Sequence, residues 1–128
     1  MKDLENKVYQ HLKARKWDNL RPVDLAKSIM IEGAELLELF QWENLSLEEV
    51  KKNKEKISEI KKELADVLIY CLEMSVLLDL DTKKIITQKL ALVAKKYPAK
   101  LMRKRQSDAG GEDYLRIKKE YRAKKLEK

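Results

Sequence analysis

Glycine and proline are almost missing from this chain, with three and two among 128 residues. Strand-rich folds need turn residues at frequent intervals, so their scarcity argues against sandwiches and barrels. Long runs of Leu, Ile, Ala, Glu and Lys favour helix instead, and the fold class read from composition is all-α. One cysteine, Cys71, excludes an intramolecular disulfide. In its apolar run that thiol reads as a small packed hydrophobe, and a reducing cytoplasm suits it. Long hydrophobic runs are absent too. Leu64 to Leu80 is interrupted by Asp66, Glu73 and Asp79, and the opening MKDLENKVYQ has no signal-peptide core. The expectation is a soluble protein with no membrane partner.

What is abundant is charge, 40% of all residues and +7 in net balance. Its position matters more than its size. Residues 1–98 carry 18 Lys and Arg against 17 Asp and Glu, whereas residues 99–128 carry 11 against 5. The body, one domain over 1–100, is therefore nearly neutral, and 101–128 is a basic tail. Cations cluster there over Lys100 to Arg105 and Lys118 to Lys125, but no groove-reading motif accompanies them, and nucleic acid is not the expected partner.

Four to five helices are expected. Leu4, Val8 and Leu12 place an apolar stripe on a first helix from about Asp3 to Lys16. A second runs from about Asp24 to Trp42, with Leu25, Ala26, Ile29, Met30, Gly33, Leu36, Leu37 and Phe40 on one broad face. Ser46 and Glu49 form a capping-box pattern that restarts helix, and nothing between Leu47 and Leu80 is Gly or Pro, which leaves one long helix or two. Its part from Leu64 onward is apolar enough for the centre of a bundle. Thr82 to Tyr97 forms the last core helix, stopped by Pro98. Gly110-Gly111 marks a break before EDYLRIKKEYRAKKLEK, which forms a charged helix or stays disordered.

The acids on the two central helices carry the chemistry. Glu32 and Glu35 lie beside the apolar face of the second helix, and Glu63 and Asp66 share one side of the third, with Tyr70 a turn further on. One E-x-x-E pair alone marks any charged helix. Two pairs in apolar settings would repel if brought together, unless a hard cation sat between them, and oxygen-only ligands select magnesium or manganese. Magnesium held by carboxylates keeps positions for substrate phosphate, so the implied chemistry is hydrolysis of a polyphosphate. A di-iron bundle would need Glu-x-x-His motifs, and the single histidine, His11, lies on the first helix.

IEGAELLELFQW, then KKELADVLIYCLEM, then KKYPA, resembles the MazG-like and dCTP-pyrophosphatase-like all-α nucleotide pyrophosphohydrolases over roughly Trp17 to Lys100. The resemblance implies a dimerising helical bundle, or a dimer of dimers, that binds magnesium on Glu32, Glu35, Glu63 and Asp66. It implies cleavage of a nucleoside triphosphate between the α- and β-phosphates, with Glu38 a candidate base or supporting acid. Trp17, Trp42 and Tyr70 become candidates for enclosing the base, each equally at home in plain packing. Lys89 occupies a phosphate-contacting position, and Lys96, about 10 Å along the same face, is either a second phosphate contact or a snorkelling side chain. Relatives commonly carry Asn where this chain has Val93, and some carry a His near Arg21 that is missing here. The rival from another class is a non-catalytic helical dimer that uses its basic tail for binding.

Overall fold

The computed structural model describes residues 1–103 and 108–126, with side chains for 1–103 and 114–125. Among the described residues there are seven helices and no strand. They are α1 (Lys2–Ala14), α2 (Pro22–Glu38), α3 (Leu47–Lys52), α4 (Lys54–Leu77), α5 (Thr82–Lys96), α6 (Ala99–Arg103) and α7 (Asp108–Leu126). All-α is borne out, and the count exceeds the four to five expected. Two short helices account for the difference. Asn53 leaves helical geometry (φ −93°, ψ 96°) and accepts the Lys56 backbone N–H on its side chain, which separates α3 from α4. Ser46 caps α3 by accepting the Glu49 N–H, the half of the capping box that its sequence pattern anticipates.

The chain divides into two compact units, Met1–Thr82 and Lys83–Lys128. In the first, α1 and α2 pack on α4. Leu12, with no exposed surface, joins Val8 and Leu72 at the centre, and Leu20, Val76 and Leu77 pack against them. The apolar face expected on α2 is only partly covered: Leu25 is buried, whereas Met30 and Leu37 are about 70% exposed at 72% and 68%. Leu68 and Ile69 on α4 are also exposed, so this stretch is half covered rather than central to a bundle. Cys71 is exposed as well, contrary to the packed role expected of it.

Two helices end on unusual residues. Lys16 and Asp79 adopt left-handed geometry, φ 57° and 56°. Beyond each, the chain turns back in the same way: the Trp17 N–H reaches the Leu12 carbonyl and the Lys16 N–H that of Lys13, and Leu80 and Asp79 repeat the pattern on Ser75 and Val76. Asp tolerates this conformation; Lys does not gain by it. Lys16→Gly is therefore expected to raise stability by about 0.5 to 1 kcal/mol after the extra freedom of an unfolded glycine is discounted. Asp79→Gly should gain less. Urea denaturation of the two variants checks the ordering. At the same end of α4, Ser75 and Thr82 hydroxyls share a buried hydrogen bond of 2.6 Å, tying its last turn to the start of α5.

The second unit is built on aromatic contacts. Tyr97 stacks on Tyr114 at 4.8 Å, and Ile117 on α7 is buried. Helix continues through Gly110 and Gly111, so the expected break there is not seen; α7 starts earlier, at Asp108. Lys104 and Arg105, counted among the tail's cations, lie outside the described residues.

Candidate metal centre

α2 and α4 place the four sequence-selected acids together. Spacing of three positions puts Glu32 and Glu35 on one face of α2, and Glu63 and Asp66 on one face of α4. The helices pack against each other, and oxygen atoms of Glu32, Glu63 and Asp66 all lie within 4.8 Å of one another. Glu35 neighbours both Glu32 and Glu63 and helps to raise each of them. Acids brought this close repel one another.

The electrostatics say the same. Glu32 is pushed above the ordinary carboxylate range, first by its hydrogen bond to Glu35, then by desolvation, then by the charges of Glu35, Asp66 and Glu63. Glu63 is pushed up first by desolvation, then by Glu35 and Asp66, with Glu38 adding its charge. A proton relieves this repulsion; a divalent cation relieves it better. The donor set is oxygen only, which suits a hard cation.

Tyr70, two turns beyond Glu63 on α4, is half-buried. Trp42 lies not on a helix but in the turns after α2, and at 88% exposure it is the most open large hydrophobic among the described residues. α2 stops at Glu38, four residues before the expected Trp42, because the N–H groups of Leu39, Phe40, Gln41 and Glu43 each bond to the carbonyl three residues back and tighten the backbone. Trp17 is half-exposed and meets His11 edge-on at 6.2 Å. In the second unit Lys89 shares an open face of α5 with Ile85, Ile86 and Val93. Lys96 stands over the rings of Tyr97 at 5.2 Å and Tyr121 at 4.9 Å, a cation held by aromatic faces.

Sequence reasoning missed two buried acids of the first unit, Glu5 and Glu73. Oε1 of Glu5 has no hydrogen-bond partner, and burial raises Glu73 against an opposing pull from His11. Only the helical register of each, one turn from a core leucine or valine, could have marked them.

A profile of the MazG-like family matches residues 27–111, which spans both acid pairs. The chain belongs to the MazG-like family. A pyrophosphatase from Archaeoglobus fulgidus DSM 4304 has a similar solved structure, 35% identical, with a TM-score of 0.67 over 77% of this chain and 92% of the archaeal one. No curated protein gives a significant match. The two E-x-x-[E/D] pairs of this MazG-like chain thus stand in a fold shared with a solved pyrophosphatase.

Proposed function

We propose that this MazG-like chain is a nucleoside triphosphate pyrophosphohydrolase, dependent on magnesium or manganese, that releases a nucleoside monophosphate and pyrophosphate and so clears the nucleotide pool. The observation that supports it most is the convergence of Glu32, Glu63 and Asp66 within 4.8 Å across two helices. The pyrophosphatase activity of the archaeal relative points the same way.

Glu32, Glu63 and Asp66 would hold the metal, with Glu35 completing the acidic set. When bound, the cation would polarise phosphate oxygens and make nearby water more acidic. Glu35, beside the three ligand acids, would accept the proton released as water attacks; Glu38, whose charge reaches Glu63, is the alternative acceptor. Trp17, Trp42 and Tyr70 would enclose the base, and the open ring of Trp42 offers the largest stacking face. Lys89 and Lys96 would meet the triphosphate, and Val93 beside Lys89 leaves one polar contact fewer than in relatives. The single exposed thiol, Cys71, suits a reducing cytoplasm.

The direct test is incubation with a panel of canonical and modified ribo- and deoxyribonucleoside triphosphates plus Mg²⁺. Chromatography should find monophosphate and pyrophosphate in equal amounts, and neither product with chelator. Folded protein that turns over no triphosphate would favour a different phosphoanhydride or the non-catalytic dimer.

A homo-oligomer, dimer or dimer of dimers, belongs to the same proposal. Met30, Ile31 and Leu37 on α2 and Leu68 and Ile69 on α4 leave more apolar side chain open than a stable monomer usually shows. Light scattering is expected to give at least twice the chain mass of 15.1 kDa. An active monomer at micromolar concentration contradicts this.

A further inference from the structure

Lys56 stands outside the acidic group, yet it is the most closely held cation of the first unit's α2–α4 pair. Its side chain is only 13% exposed. Its ammonium donates to the backbone carbonyl of Leu39, pairs with the Glu43 carboxylate at 3.2 Å, and lies 5.5 Å from the centre of the Phe40 ring. All three partners belong to the turns that close α2. The last carbonyls of a helix have no N–H donor within it and carry its negative dipole end, and the last turn of α2 holds no basic residue of its own. Lys56 supplies from α4 the cation and donor that α2 lacks.

The position of this contact relates directly to the acids. Leu39, the residue that caps α2, lies seven residues beyond Glu32, and Lys56 lies seven residues before Glu63 on α4. Seven residues are two helical turns, about 10.5 Å, on each helix. The helices run antiparallel, so a single register satisfies the Lys56–Leu39 contact and the approach of Glu32 to Glu63 together. A slip of one turn at the contact would move Glu32 past Glu63 by about 5.4 Å, more than the 4.8 Å that spans the ligand oxygens.

We propose that Lys56 is a positioning residue: by clamping the C-terminal end of α2 it fixes the register that brings Glu32 opposite Glu63 and Asp66. This rests on the metal reading above. Lys56 acts through geometry rather than through its charge on the acids, since Glu43 neutralises it and about 10 Å of helix separates it from Glu63, roughly one screening length.

The test is Mn²⁺ affinity by electron paramagnetic resonance on the full chain, with helix content followed by circular dichroism. Lys56→Met keeps the aliphatic stem and removes the cationic donor; it is expected to weaken Mn²⁺ binding about tenfold, the low end for residues that support metal ligands from behind. Helix content and the pH midpoint of binding should stay as in the wild type. Lys56→Arg, which retains a donor for Leu39 and a charge for Glu43, should restore affinity to within about twofold of the wild type. Wild-type affinity in Lys56→Met overturns the clamp, and so does an Arg variant no better than Met. If Lys56→Met fails to fold, the Arg variant decides alone: folded with wild-type affinity supports the clamp, and folded with weakened affinity rejects it. A wild type that binds no Mn²⁺ removes the metal reading itself, an outcome distinct from loss of the clamp.

Discussion

Changing any one of Glu32, Glu35 or Glu63 to Gln, or Asp66 to Asn, is expected to lower kcat by about a thousandfold or more while the helices remain. A thousandfold is about 4 kcal/mol of barrier, within the several kcal/mol that a metal contributes to a phosphoryl transition state. Neutral amides hold hard cations poorly. They also remove like charges from a group in which Glu32 and Glu63 are raised by the acids around them, so the metal-free variants should be at least as stable as the parent. Activity with helix content measured on the same samples separates the outcomes. Variants that unfold, alongside a wild type whose turnover ignores metal, would make the four acids structural and favour the helical dimer.

Glu32 with Glu35, and Glu63 with Asp66, were legible in the sequence because i,i+3 spacing is a local property of any helix, and their apolar flanks marked them as unusual. Ser46 was legible for the same reason, since a cap acts within one turn. Asn53 was not: an Asn in a Lys- and Glu-rich stretch tolerates helix, and only its extended backbone with the side chain turned onto Lys56 N–H separates α3 from α4. The end of α2 at Glu38 was hidden because Leu39, Phe40 and Trp42 continue its apolar pattern, while the carbonyl of Leu39 is taken by a residue 17 positions away. Glu5 and Glu73 look solvated in sequence; they are buried because α1 packs onto α4, a long-range fact. Lys56 belongs to the same class. Gly110 and Gly111 mislead in the opposite sense, since glycine weakens a helix by only about 1 kcal/mol per position and α7 absorbs both.

Metal affinity and metal-free stability should respond to pH in opposite directions, and the sign follows from the acids. Glu32 and Glu63 both titrate above their ordinary 4.5 in the folded chain. Between 4.5 and the raised values, the folded protein holds protons that the unfolded chain has released. Metal-free stability therefore falls as pH rises through that window, and the penalty is complete above it; below 4.5 both states are protonated and the difference vanishes. A divalent cation must displace the same protons. Its affinity should rise with pH by up to about tenfold per unit for each proton released, then level off once Glu32 and Glu63 are ionised. Thermal midpoints with and without Mg²⁺ across this range should converge at low pH and separate as pH climbs. Glu73 contributes to the metal-free slope with the same sign, because burial raises it too, but it lies outside the acidic group. Glu73→Gln should flatten the metal-free curve in part while leaving the growth of the Mg²⁺ effect intact, whereas Glu32→Gln should abolish that growth. A Mg²⁺ effect independent of pH would mean that the cation binds away from Glu32 and Glu63, and the site would have to be sought elsewhere on the chain.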